Sequence, residues 1–192
     1  MDKKVRVEVR DGVATVTLDD AAAGNILDMA MGRDLLDVAL RVDGDPAVRA
    51  VVLTGAGKNF CFGGDLQGMA RQGEGVGGYL VELTTNIHAA ISCFTRMRAP
   101  VIAAVNGTAA GGGVGLVCMT DLAIAGRSSR FRLAYTGVAL APDCGTSFLL
   151  PRIVGRRRAL ELFLTNRLLT ADEALAWGLV SEVVDDGEVL AR

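Results

Sequence analysis

Two glycine-rich turns carry the chemistry this sequence offers. Between Val101 and Gly115, a run of β-branched and alanine residues gives way to Gly111, Gly112, Gly113 and Gly115. The run suits a buried strand. The glycines leave only backbone, and three together weaken any helix they enter. A chain tolerates that where a ligand must approach the main chain. A helix starting there would aim its first N–H groups, which lack intrahelical partners, at whatever sits in front. An oxyanion or phosphate is one occupant; tight strand-to-helix packing is the alternative reading. A second turn, Gly63-Gly64-Asp65, follows Phe60-Cys61-Phe62. Two N–H groups converging from separate turns can hold one carbonyl oxygen, and losing one such donor typically costs about 2.7–4 kcal/mol of barrier.

Nucleotide motifs fail on spacing. From Gly111, Gly113 fits G-x-G-x-x-G, but Leu116 stands where the third glycine belongs; from Gly113, Cys118 fails in the same way. Gly55-Ala56-Gly57-Lys58 has a P-loop lysine without the following Ser/Thr or the right glycine interval.

The elements that must position these turns follow from patterning. Val5–Val9 and Val13–Leu18 alternate around Asp11-Gly12, which predicts a β-hairpin. Asp28 can cap a helix carrying Met31, Leu35, Val38 (or Ala39) and Val42. Ala50–Leu53 reads as a buried strand. Arg71–Gly78 reads as a mobile glycine-rich loop. A long helix then carries Leu80, Leu83, Ile87, Ile91 and Phe94, ending before Pro100. Asp121–Ala125 and Arg130–Leu133 predict strands, and Tyr135–Gly145 a loop. Thr146–Ile153 and Arg156–Leu164 predict helices. Thr170 and Glu173 have capping-box spacing for a helix ending at Gly178, and Leu179–Val184 returns to strand. Strands alternating with helices favour an α/β sheet with covering helices.

The chain has 192 residues, 51% hydrophobic and 22% charged, which suits one globular domain spanning 1–192. A formal net charge of −2 without a long basic run argues against nucleic acid. No apolar run reaches a membrane span, and the start lacks an apolar signal core. Cys61, Cys93, Cys118 and Cys144 form no Cys-x-x-Cys, and read as reduced, mostly buried thiols of a cytoplasmic protein. His88 is the only histidine, which excludes a His-rich metal site; no metal is expected.

Six segments, in order and spacing, resemble the crotonase (enoyl-CoA hydratase/isomerase) superfamily. They are residues 51–57, 60–66, 100–107, 110–113, 121–125 and 171–180. The resemblance implies an α/β, ClpP-like fold of repeated ββα units with two sheets and surrounding helices. It implies a coenzyme A thioester as substrate, no permanently bound cofactor, and a homotrimer or dimer of trimers. It assigns the thioester oxyanion hole to the N–H groups of Gly64 and Gly112. It places the coenzyme along Phe62-Gly63 and near Asn25-Ile26, with Asp65, Leu66 and Gly111 beside it.

Departures from the family pattern shape the expected reaction. Hydratases of this family carry glutamates where this chain has Gly115 and Tyr135. Glycine has no side chain, and a phenol titrates near about 10, so neither handles a proton as a carboxylate would. Pro142-Asp143-Cys144-Gly145 resembles the loop of the phenylacetate-pathway isomerase branch, in which an aspartate shuttles the proton. An aspartate facing an apolar pocket is desolvated, which strengthens it as a base. The expected activity is therefore isomerisation of an unsaturated acyl-CoA. His88, Tyr135 and Asp143 together also resemble the 4-chlorobenzoyl-CoA dehalogenase branch. There the aspartate is a nucleophile and the histidine activates water, so the alternative expectation is dehalogenase-like or hydrolytic chemistry on an aryl- or acyl-CoA, with Asp143 as nucleophile and His88 as base. A third expectation is a catalytically weak acyl-CoA-binding subunit, because the family's C-terminal helical region does not follow Arg192.

Several of these residues also have structural readings. Asp143 suits a helix cap. His88 suits a core margin, and Asp65 a turn fixed through backbone N–H groups. Tyr135 suits a pocket wall, and Arg156–Arg158 either a solvated face or a phosphate contact. Cys144 reads as a bystander.

Overall fold

A computed structural model describes residues 3–192. Strands β1 (Val5–Arg10) and β2 (Val13–Leu18) pair antiparallel, from Val5 opposite Leu18 to Arg10 opposite Val13. Asp11 and Gly12 both have positive φ, the geometry a two-residue hairpin needs. Helix α1 (Met29–Gly44) starts where the Asp28 carboxylate accepts the Met31 N–H at 2.8 Å. Its buried stripe is Met31, Leu35, Val38, Ala39 and Val42. Strand β3 (Ala50–Gly55) then lies parallel to β2, and the short β4 (Asn59–Cys61) leads into the first glycine turn.

The segment expected to be a mobile loop, Arg71–Gly78, is mostly helical. Helix α2 (Leu66–Arg71) is capped by Asp65, which accepts the Gly68 N–H at 2.8 Å. A 3-10 turn at Gly73–Gly75 links it to α3 (Val76–Arg96). Glycine costs up to about 1 kcal/mol per helical position. Here that cost falls on the first turn, and the buried stripe of α3, packed on α1, outweighs it.

Strand β5 (Val101–Val105) pairs parallel with β3, β6 (Thr108–Ala110) with β4, and α4 (Gly112–Cys118) follows the second glycine turn. Then come β7 (Leu122–Gly126), β8 (Arg130–Arg132), α5 (Thr146–Val154), α6 (Arg156–Thr165), β9 (Leu169–Thr170), α7 (Ala171–Trp177) and β10 (Glu182–Val184). Thr170 and Glu173 close the expected capping box. The final strand is shorter than expected. Gly178 ends α7 left-handed, and the Leu179 and Val180 N–H groups go back to the Ala174 carbonyl instead of a ladder.

The strands form two sheets. One has the order β1-β2-β3-β5-β7-β10, parallel from β2 onward; the other is β4-β6-β8-β9. β5 is central, with Val101, Ala103, Ala104 and Val105 buried. The two glycine turns leave from the ends of neighbouring strands β4 and β6, which is why they meet. No helix among the described residues is long and apolar enough to cross a membrane.

Candidate active site

The first turn is set by what surrounds it. Asn25 is fully buried, and its side-chain amide donates to the carbonyls of Ala56, Asn59 and Phe60 while its oxygen accepts the Asp20 N–H. That ties the 20–28 loop to β4. Leu27 then bridges to the turn: its N–H donates to Gly63 O at 2.7 Å and its carbonyl accepts the Asp65 N–H at 3.4 Å. Gly63 takes φ +80°, and a Cβ there would stand 2.6 Å from Ala110 O and 3.1 Å from Gly112 N. The turns therefore touch backbone to backbone, which only glycine allows.

Among the described residues, neither the Gly64 N–H nor the Gly112 N–H has a protein acceptor. Both glycines line one cleft of about 820 Å³, counted with its open mouth. Phe62, Leu66 and Gly111 line it too, as do Leu27, Met69, Leu83, Ile87 and Leu140. Among the described residues its single lining carboxylate is Asp143, and Tyr135 forms the wall beside it.

Asp143 does not cap α5. Gly145 occupies the cap position with no side-chain bond, and the main-chain carbonyl of Asp143 instead accepts the Thr146 N–H and Oγ1 at 2.9 and 2.7 Å. The Asp143 side chain is 38% exposed, so it is wetter than the sequence leads one to expect. Tyr135 is 7% exposed, and its hydroxyl donates to Asp143 O at 3.4 Å. Burial, then the nearby Cys144 and Asp143, push the phenol far above its ordinary range, so it stays a neutral wall.

His88 projects from α3 towards the same loop. Its Nε2 lies 4.0 Å from Asp143 Oδ2, too far for a hydrogen bond, and accepts the Cys144 N–H at 3.2 Å. Cys144 also forms part of the wall. A Cβ on Gly112 would come 3.0 Å from its sulfur, and one on Gly115 would come 2.5 Å from its carbonyl oxygen. Burial, then the Asp143 charge, raise the Cys144 thiol well above its usual value. His88, Asp143 and Cys144 bring donor atoms within 4.8 Å of one another. The set fits a metal poorly, because burial favours the protonated thiol and His88 Nε2 already accepts the Cys144 N–H.

The structure thus gathers Phe62, Gly64, Leu66, Gly111, Gly112, Tyr135 and Asp143 around one cleft, with Gly63 directly behind and His88 at the loop. Asn25 and Asp65 are held in internal bonds, and Ile26 is half-buried beside Leu27. Arg156, Arg157 and Arg158 are exposed on α6, where Arg158 lies over the Trp177 ring. Sequence reasoning missed Leu27, Cys144 and Thr146. Leu27 had a faint signal in its place just ahead of the Asp28 cap. Cys144 had none, because its role depends on backbone conformation.

Two sheets with a shared cleft at neighbouring strand ends define an α/β protein of the crotonase fold. The chain belongs to the enoyl-CoA hydratase/isomerase family, whose pattern matches residues 8–192. It is 36% identical to 4-chlorobenzoyl coenzyme A dehalogenase-2 of an Arthrobacter species, across 100% of this chain and 70% of the relative. It is 39% identical to 1,2-epoxyphenylacetyl-CoA isomerase of Escherichia coli strain K12, across 95% of this chain and 70% of the relative. The crystal structure of enoyl-CoA hydratase from Bacillus anthracis superposes with a TM-score of 0.92 at 32% identity, covering 98% of this chain and 72% of that one.

Proposed function

We propose that this chain binds an unsaturated acyl-CoA and moves its double bond, with Asp143 carrying the proton. One observation carries the reading. Among the described residues, two N–H groups without an acceptor, Gly64 and Gly112, border a mainly apolar cleft whose one lining carboxylate is Asp143. The N–H pair receives the thioester oxygen. Asp143 takes a proton from carbon, and the electron pair moves onto that oxygen as an enolate. The N–H groups stabilise the charge as it develops. Asp143 returns the same proton to another carbon, so nothing is gained or lost. An acyl group in the cleft would cover the partly exposed carboxyl and exclude water from it.

Isomerisation is favoured over water addition because Gly115 and Tyr135 supply no second acid or base, and the Cys144 main chain fills the space a side chain at 115 would need. Both kinds of name occur among relatives, so the test is enzymatic. Asp143→Asn, assayed on 2-enoyl-CoA and 3-enoyl-CoA, should lose about 10²–10⁴-fold in turnover. Undiminished turnover would refute the role.

A second reading rests on the approach of His88 Nε2 to Asp143 Oδ2 at 4.0 Å. In it the Asp143 carboxylate attacks the halogen-bearing ring carbon of an aryl-CoA, the halide leaves as its anion, and His88 takes a proton from the water that hydrolyses the aspartyl ester, which releases the hydroxyaryl-CoA and restores the carboxylate. Rapid quench with a 4-halobenzoyl-CoA would then trap an aspartyl ester. Turnover without an adduct removes this reading.

The proposed assembly is a trimer or pair of trimers, each chain serving as one acyl-CoA-binding domain. Apolar Phe148, Leu164 and Leu168, left at the surface around α5 and α6, support association. A monomeric mass in solution would count against it. The proposed compartment is the cytoplasm, supported by four buried, unpaired cysteines.

A further inference from the structure

The peptide bond between Asp143 and Cys144 is gripped from both sides. Its carbonyl accepts from the Thr146 N–H, the Thr146 hydroxyl and the Tyr135 hydroxyl. Its N–H donates to His88 Nε2 at 3.2 Å, the one acceptor it has among the described residues. The grip coincides with an unusual backbone. Cys144 has φ +48° and Gly145 has φ +76°. For a residue with a side chain, the left-handed region is disfavoured and persists only where the surroundings over-determine it. Three donors on the carbonyl and one acceptor on the N–H supply that constraint. The carboxylate of Asp143 is carried on the peptide so fixed.

We infer that His88 is a positioning residue: its Nε2 lone pair holds the Asp143–Cys144 peptide, and through it aims the Asp143 carboxylate into the cleft. The inference rests on Asp143 being the proton carrier. It makes a definite statement about the imidazole. An Nε2 that accepts a hydrogen bond carries no proton, so the neutral ring bears its hydrogen on Nδ1. While this bond stands, the same lone pair is unavailable to take a proton from water. His88 then acts on the reaction through geometry, and a nitrogen is not essential; any acceptor at that distance suffices.

The tests use two substitutions in the full chain. His88→Leu fills the space with an apolar group and removes the acceptor. His88→Gln can set its side-chain oxygen where Nε2 stood. With 3-enoyl-CoA, His88→Leu should lower kcat by about 10²-fold, the cost expected of an ångström-scale misplacement. KM should change little, because the glycine N–H groups are untouched. His88→Gln should recover most of the lost kcat. A fully active His88→Leu, or a folded His88→Gln as slow as the leucine variant, would overturn the inference. So would an aspartyl ester accumulating in His88→Gln, which would make the ring the base. Asp143→Asn runs alongside. If it is fully active, the Asp143 reading fails; if it is inactive while His88→Leu is unaffected, only the positioning role fails. A substrate-free measurement stands behind these. Imidazole ¹⁵N shifts of the unliganded protein, read for the neutral ring, should show Nδ1 protonated and Nε2 bare, and a neutral ring protonated at Nε2 overturns the proposal even if His88→Leu does not fold.

Discussion

The two walls of the cleft are made of different materials. On one side, Gly63, Gly64, Gly111 and Gly112 present bare main chain, locked by Leu27 and by Asn25, whose side chain is wholly buried. On the other, α3 and the 133–145 segment present side chains: Tyr135, Asp143 and, behind them, His88. That second wall is wetter, with Asp143 and His88 side chains 38% and 47% exposed. It also uses three non-glycine residues at positive φ, Ala134, Ala139 and Cys144. The contrast separates two tasks. Backbone N–H groups that nothing can rotate away suit recognition of a thioester oxygen. Side chains on a loop suit the choice of what then happens to the acyl group.

This division can be broken in several ways. Asp143→Asn should remove most turnover while leaving the KM for a CoA thioester within a few-fold, since an interaction made only in the transition state affects kcat alone. A parallel loss of binding would mean that the walls do not act separately. Gly63→Ala should do the reverse damage. It forces a side chain into the left-handed region 2.6 Å from Ala110 O, costing about 1–3 kcal/mol of stability and disturbing both N–H groups at once. Urea midpoints and CoA-thioester affinity should fall together.

Gly115→Glu tests how tightly the walls are joined. The new Cβ would meet Cys144 O at 2.5 Å and Cys144 Cβ at 2.7 Å. The expected outcome is a loss of about 1–3 kcal/mol from overpacking and no gain of water addition to 2-enoyl-CoA. Measurable hydration by this variant would show that the second wall yields easily. The smallest effect is alkaline. Burial pushes the Cys118 thiol, packed behind the glycine wall in α4, from 9.0 up to about 12. Its protonated form is favoured by folding, so its contribution is complete below pH 9 and is lost as pH rises towards 12. Thermal midpoints should therefore drop above pH 9, and Cys118→Ala should flatten that slope. An unchanged slope would assign the alkaline loss to other groups.

The same contrast explains what the sequence disclosed. The glycine wall was legible, because a missing side chain is itself a local signal and Gly64 and Gly112 announce close approach. The β1–β2 hairpin, the Asp28 cap and the Thr170–Glu173 box were legible for the same reason, since each depends on neighbouring residues. The 71–78 segment was misread because its glycines argue against helix locally, whereas the packing of α3 on α1 decides the matter at a distance. The strands β4, β6 and β9 are two or three residues long, too short for any alternation to show. At the second wall, Asp143 was identifiable through the Pro142–Gly145 motif. That its neighbour Cys144 would occupy the space in front of Gly115 depends on one φ angle, which no residue pattern encodes.

One property of the sheets bears on how the chain is made. In both, spatial order follows synthesis order: β1-β2-β3-β5-β7-β10 in one and β4-β6-β8-β9 in the other. After the first strand of each sheet, each new strand joins the edge its predecessor in that sheet left; β4 alone waits past β5 for its partner β6. A growing chain can thus lay down both ladders from the first hairpin onward, as domains do when they fold during synthesis. The glycine wall is complete once β6 lies beside β4 and α4 has formed. Asp143 emerges only afterwards, beyond β8. In order of synthesis, the glycine wall therefore precedes the wall that carries Asp143.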